Sequence, residues 1–310
     1  MVKGFRRLRE TMLGELAALG AAICWTISAI LYKEALFKTK PVSANIVRLV
    51  CTSIILVAYL AIIGKFGVLM NLPAYAVVLA CVSGIIGLGF GDTLYMMSLK
   101  LIGVARAVPI TCVYPLFNLL WAVFLVGEPV TLPVVLGAVT IVFGIWLLRQ
   151  ETDAGTAETK KKILVKGVAY ALATAVMWSV SIMMIDMAVT LPETSSLDHA
   201  LAVNTIRVTA IAVSLLVSAS IIDRDFGFLK MQRKTLAALI FGGIVALGLG
   251  WFFLTYSFIN TLESQAVPIS STTPLFSTLS AIIFLHERVT PKNVLGSILI
   301  VIGIFLIFTV

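Results

Sequence analysis

The chain repeats itself, and each copy carries an odd number of apolar runs. Ten runs have the length of a bilayer crossing: 13–32, 43–64, 74–98, 103–126 and 131–149, then 165–189, 199–222, 234–259, 263–286 and 290–309. From Asn45 the second half follows the first at a fixed offset, 204 − 45 = 159, without a gap as far as Gly144 and Gly303. Arg48 pairs with Arg207, Gly89 and Gly91 with Gly248 and Gly250, Glu128 with Glu287, Thr131 with Thr290, and Gly137 with Gly296. Ahead of that register Trp25 pairs with Trp178 and Ser28 with Ser181, at 178 − 25 = 153, so extra residues of the second half fall around Leu191 to Ala200. Five spans per copy force the second copy to enter the membrane upside down relative to the first. Such copies are related by a pseudo-two-fold axis in the membrane plane, and a site between them can open to either side when one half rocks on the other.

Composition agrees with burial in lipid. Of 310 residues 60% are hydrophobic and 12% charged, about half the charge of a soluble domain. The expected fold is an all-α membrane protein, ten transmembrane helices as two inverted five-helix repeats around a central cavity. A basic tail (1–12) precedes the first repeat (13–149), a polar linker (150–164) and the second repeat (165–310). The chain reads as integral and multi-pass, in the cell membrane, and its first run is long enough to stay as a span rather than leave as a signal peptide. The net charge of +8 lies in short loops and tails, where it controls topology and meets lipid headgroups; nucleic acid is not an expected partner. Orientation stays open. With the N-terminus in the cytoplasm, Lys3, Arg6, Arg7, Arg9 and Lys65 fall inside. A larger set, from Lys33 through Lys160–Lys162 to Lys292, falls outside. The charge rule favours external termini, and the dense N-terminal cluster favours the reverse.

One stretch is used twice, AVPITCVYPLF from Ala107 and AVPISSTTPLF from Ala266. A proline deep in a helix lacks its N–H and clashes with the carbonyl four residues back. Pro115 is thus expected to loosen the carbonyl of Thr111, and Pro274 that of Ser270. Pro109 and Pro268, nearer the helix starts, read equally as packing kinks. Matched breaks in two halves point to a ligand path near the midplane, where freed backbone groups line a cavity.

Other side chains suggest the walls of that cavity. Trp25 and Trp178 lie mid-span, away from the interface where membrane tryptophans usually sit; Ser28 and Ser181 follow on the same faces. Asp92, three residues before Tyr95, is an ionisable group at membrane depth and a functional candidate by default. Its counterpart is Trp251, so the charge is one-sided. It reads as a holder of a cationic substrate group or as the carrier of a coupling proton, against the blander alternative of an ion pair with Arg106. Asp186 is a second, shallower candidate, and Glu263 reads as a helix N-terminal carboxylate. Arg48 and Arg207, placed in the first turns of spans two and seven, are expected to reach the interface in a structural or gating role. Glu128 and Glu287, just before spans five and ten, read as helix N-terminal carboxylates or as gate contacts between repeats. The candidate lining is Trp25, Ser28, Asp92, Tyr95, Thr111, Tyr114, Trp178, Ser181, Trp251, Tyr256, Ser270 and Thr273.

Several chemistries find no footing. The glycine runs GIIGLGFG from Gly84 and GGIVALGLG from Gly242 lack the lysine and Ser/Thr of a phosphate loop; inside apolar helices they let backbones approach and slide. Cys24, Cys51, Cys81 and Cys112 behave as small apolar residues, with no disulfide expected. His199 and His286 carry no ligand spacing, so no metal and no cofactor is expected. Neither ATP drive nor an enzyme activity has a motif behind it.

The duplicated pattern Pro115-Leu116-Phe117, Glu128-Pro129-Val130-Thr131, Gly137, Gly144, and Pro274-Leu275-Phe276, Glu287-Arg288-Val289-Thr290, Gly296, Gly303 resembles the EamA-type drug/metabolite transporters over about residues 14–308. Arg48, Arg207 and Tyr95 are family-like as well; in the second half Leu254 aligns with Tyr95, and Tyr256 lies nearby. The resemblance implies ten helices, a cavity built by spans 1, 3, 4, 6, 8 and 9, cytoplasmic termini, and transport of small metabolites, often export of amino acids or related compounds. The expected function is secondary transport of a small polar or amphipathic, amino-acid-like metabolite by alternating access, with substrate and lipid bilayer as partners, as monomer or homodimer. The alternatives are an exporter of lipophilic cations, and a receptor or scaffold without transport.

Overall fold

The structure is a computed structural model that describes residues 2–121, 124, 131–149, 158–189, 194, 196–261 and 263–308. They form an integral, multi-pass, all-helical membrane protein with no strand among the described residues. The crossings are α1 (Met12–Leu36), α2 (Pro41–Ile62), α3 (Ala74–Ile102), α4 (Val104–Trp121), α5 (Leu132–Arg149), α6 (Lys161–Val189), α7 (Leu197–Ile222), α8 (Arg233–Asn260), α9 (Ala266–Leu285) and α10 (Pro291–Ile307). The first nine are long and apolar enough to cross a bilayer, and α10 is a shorter apolar helix. Each carries an outward face of large apolar side chains, such as Ile54, Phe143 and Phe284, as lipid solvation requires.

The glycines of α5 and α10 fix how the two copies meet. A Cβ on Gly137 would stand 2.6 Å from the carbonyl oxygen of Gly303, and one on Gly144 2.8 Å from that of Gly296. Position rises along one helix as it falls along the other, so the pair is antiparallel. Gly137 and Gly296 are repeat mates, as are Gly144 and Gly303. Each helix thus crosses its own copy head to tail, and each contact is made twice, as in an isologous interface. A helix antiparallel to its own duplicate is the inversion that five spans per copy demand. Without side chains at these points the backbones close to van der Waals distance, the usual source of helix affinity in lipid.

The copies are also interlocked. The first helix of each packs along the third helix of the other. Ser28 Oγ and Tyr32 Oη of α1 donate to the carbonyl of Gly242 in α8, at 3.0 and 2.8 Å, and the Trp25 ring lies against Gly250. In the other repeat Ser181 Oγ of α6 lies 2.8 Å from Ser83 Oγ of α3, and Trp178 lies against Gly91.

Both third helices run as π-helix through their glycines, at Gly84–Gly91 in α3 and Ile244–Gly250 in α8. A wider turn shifts the hydrogen-bond ladder and leaves carbonyls to be met from elsewhere. The Asn45 amide donates to Leu88 O at 2.9 Å and Gly89 O at 3.3 Å, and the Asn204 amide to Leu247 O at 2.8 Å. The glycine runs therefore reshape the helix as well as letting neighbours approach.

α4 and α9 break at matching places. Val104–Thr111 gives way to Tyr114–Trp121, and Glu263–Ser270 to Thr273–Leu285. Pro115 and Pro274 sit second in the outgoing halves, where a missing N–H has no helical partner to lose. Local hydroxyls cover carbonyls at the breaks: Thr111 Oγ1 donates to Val108 O at 2.9 Å, Ser270 Oγ to Val267 O at 3.0 Å, and Thr273 Oγ1 to Ser270 O at 2.7 Å. Pro109 and Pro268 lie within the incoming halves.

Glu287 does not serve the start of its own helix. Its carboxylate accepts from Val104 N at 2.8 Å and Ala105 N at 3.0 Å, capping α4 of the other repeat, where a negative charge meets the positive helix end. Gly103 stands between, at φ +80°, and a Cβ there would lie 2.7 Å from the carboxylate oxygens. Glu128 lies outside the described residues, and so does the side chain of Glu263.

Two outcomes test this frame by thermal unfolding in detergent. Gly137→Val should lower stability by about 1–3 kcal/mol, whereas Gly248→Ala, whose Cβ would find its nearest neighbour at 3.9 Å, should leave it unchanged. Glu287→Gln should cost about 1 kcal/mol by weakening the α4 cap.

Candidate functional site

Between the repeats lies a cavity of about 690 Å³, its mouth included. Trp25, Ser28 and Tyr32 enter it from α1, Arg48 from α2, and Asp92 and Tyr95 from α3. Val108, Thr111, Cys112 and Tyr114 come from α4, Trp178 and Ile182 from α6, Ala246, Leu247 and Trp251 from α8, and Ser270 and Thr273 from α9. Both helix breaks and the π-helical segment of α8 thus border one space, and Asp92 enters it directly after the π-helical segment of α3.

Of the sequence candidates, Trp25, Ser28, Asp92, Tyr95, Thr111, Tyr114, Trp178, Trp251, Ser270 and Thr273 meet here. Ser181 and Tyr256 do not. Ser181 is fully buried behind the wall, between Ser83 and Arg207. Tyr256 stacks on Phe252, centroids 6.4 Å apart. Leu254 holds the place equivalent to Tyr95, and a residue two further along a helix points to another side. Asp186, half-buried, also lies away from the cavity.

The arginines sit far from where the sequence reading put them. Arg48 is 2% exposed and Arg207 0%, about 10 Å below the start of α2 and about 15 Å below the start of α7 respectively. Neither reaches the interface. Arg48 pairs with Asp92 through Nη2 and donates from Nε to Asn45 Oδ1 at 2.8 Å. Its Cζ also lies 5.0 Å from the centroid of the Tyr32 ring. Asp92 therefore pairs with Arg48, not with Arg106. Its second oxygen accepts from Trp178 Nε1 at 2.7 Å, and the Trp178 ring lies 5.2 Å from that of Tyr95. One carboxylate thereby joins α2 and α3 of the first repeat to α6 of the second. A charge in hydrocarbon is tolerated when it is paired and hydrogen-bonded, and Asp92 is both.

The second repeat answers the same geometry differently. Trp251 occupies the position of Asp92, and Arg207 Cζ stands 3.9 Å from its ring centroid. Trp25 meets the same ring edge-on at 5.8 Å. The equivalent arginine thus has an ion pair in one half and a cation–π contact in the other. The latter contributes about 2 kcal/mol when desolvated, against several kcal/mol for burying the ion. Arg207 Nη2 donates to Ser181 Oγ at 2.8 Å, while Nε and Nη1 have no protein partner among the described residues.

Sequence reading missed Tyr32, Val108, Cys112, Ile182, Ala246 and Leu247, and misplaced Arg48. Tyr32 had a signal, since it follows Trp25 and Ser28 at helical spacing on one face. No three His, Cys, Asp or Glu side chains come close enough to hold a metal among the described residues, and all four cysteines are free. The cavity offers aromatic faces, hydroxyls, and a carboxylate beside a guanidinium. That inventory suits reversible binding of a small polar molecule.

Comparison with known proteins follows the same two copies. The sequence profile of the EamA-like transporter family matches residues 12–150 and 165–309. An "Uncharacterized transporter" of Archaeoglobus fulgidus is 25% identical over 296 residues, 96% of this chain and 98% of that protein. In fold, the chain is similar to a protein of known crystal structure, with a TM-score of 0.63 and 21% identity over 94% of this chain and 95% of that one. With the profile covering both halves and an inverted pair of five-helix copies beneath it, the chain belongs to the EamA-like transporter family.

Proposed function

We propose that this transporter is a secondary carrier that exports a small polar or amphipathic metabolite with the charges of an amino acid, by alternating access. The observation that carries the reading is the Arg48–Asp92 pair facing an aromatic-walled cavity between the repeats. A carboxylate and a guanidinium side by side present both signs of charge. An ammonium group can approach Asp92 while a carboxylate approaches Arg48, and the rings of Trp25, Tyr95, Trp178 and Trp251 pack the apolar remainder. The inverted copies supply the two equivalent ways of closing that alternation needs.

Export of lipophilic cations fits less well, because Arg48 already neutralises the carboxylate such cations would seek. A receptor or scaffold would bind in this cavity and show no flux.

Reconstituted protein should move members of a set of labelled amino acids and related carboxylates across liposomes, and flat cationic dyes poorly. Asp92→Asn, which leaves Arg48 buried without its anion, should reduce initial flux at least about tenfold. Trp178→Phe, which removes one charge-assisted hydrogen bond, should reduce it by roughly the same factor. Binding without flux for every compound, or dye flux that Asp92→Asn abolishes, would sink the reading in favour of the receptor or the cation exporter.

A further inference from the structure

We infer that Arg207 selects substrates with a net negative charge, so that the transported compound is an acidic amino acid or a carboxylate of that class. This rests on the transport reading and adds the sign of the cargo. Three charged side chains govern the electrostatics of the cavity. Arg48 and Asp92 line it and cancel each other. Arg207 stands one ring behind the wall, 3.9 Å from the centroid of Trp251, and no carboxylate among the described residues is bonded to it. Asp92, the carboxylate that lines the cavity, has its oxygens already engaged by Arg48 and Trp178. One unit of positive charge therefore remains at the cavity, in surroundings of low polarity that weaken it little.

The donor inventory of Arg207 leads to the same conclusion. A guanidinium carries five N–H donors in a planar fork that matches a carboxylate. Nη2 donates to Ser181 Oγ, and no described protein group meets Nε or Nη1. The side chain is wholly buried, and Trp251, itself a wall of the cavity, is the ring that separates it from the space. When that ring turns away, a substrate carboxylate can take the open edge of the fork. The repeat symmetry explains the vacancy in the protein's own charge pattern: the position that gives Arg48 its aspartate gives Arg207 a tryptophan. In this inference the cargo supplies the anion that the second repeat lacks.

The test uses probes of matched shape and different charge, L-aspartate against L-asparagine and L-glutamate against L-glutamine. Each is measured as a competitor of flux in proteoliposomes and as a ligand that raises Tm of the wild-type protein in detergent. The acidic member of each pair should compete roughly 30-fold better and raise Tm more. Arg207→Met should erase that preference without lowering Tm, because an uncompensated buried cation does not stabilise the fold. Arg207→Lys should keep the sign of the preference. If wild type handles the neutral members equally well or better, or if Arg207→Met keeps the acidic preference, Arg207 does not select charge, while the transport reading stands. If wild type moves no compound of any charge, both fall. Should Arg207→Met fail to fold, the two wild-type measurements still decide.

Discussion

A guanidinium and a carboxylate can lie in the middle of a bilayer when each neutralises the other, and the Arg48–Asp92 pair sets the terms for much of this molecule. Asp92 sits where the π-helical segment of α3 ends, and Asn45 holds both that segment and the guanidinium. Its amide nitrogen takes the carbonyls of Leu88 and Gly89 while its oxygen accepts from Arg48 Nε. The irregular backbone and the buried charge are therefore satisfied by one side chain. The wide turn turns Asp92 inward, and the pair makes a charged cavity wall tolerable in hydrocarbon.

The interlocked packing gives this local arrangement its reach. Because α1 lies along α8 and α6 along α3, neither repeat closes a cavity wall from its own residues. Trp178 comes from the second copy to meet Asp92 of the first, and Trp25 comes from the first to meet Trp251 of the second. The close crossing of α5 and α10 holds the two copies together through glycine contacts that do not involve the cavity. Affinity between the copies and polarity at their junction thus reside in different helices, and the polar centre can vary without loosening the pair.

Much of the fold could be read from the sequence because its signals are repetitive. Spans are long apolar runs, and a constant offset from Asn45 to Gly303 needs no knowledge of packing. Several candidate residues converge on the cavity for the same reason: Trp25, Asp92, Thr111 and Thr273 are all marked by contrast with an apolar surround. The depth of the arginines was not readable. A run of apolar residues does not show where its helix begins, and a long side chain near a span end ordinarily reaches for water. Arg48 and Arg207 are held inside by Asp92, Ser181 and Trp251, partners brought in by other helices. The π-helical turns were hidden too, since glycine density permits several geometries and selects none. Tyr256 failed for a smaller reason, a displacement of two residues from the position of Tyr95, enough to carry it round the helix.

The charge that the duplicated scaffold sets unequally at the cavity belongs to the pair of positions 92 and 251. Both repeats retain the arginine, the asparagine three residues before it, and the π-helical turn beneath. The partner of the arginine differs, a carboxylate in one and an indole in the other. Under the alternating access proposed above, exchange of conformation between the halves would then be more than a relabelling. Asp92 is bound at once to Arg48 in its own copy and to Trp178 in the other, so relative rotation of the copies strains one bond or the other. Arg207 has no ion pair from its own copy among the described residues. In alternating access, a charge arriving from outside the protein would therefore act differently on the two closed forms. An asymmetry of that kind would let cargo bias a cycle that a perfectly symmetric frame would leave balanced.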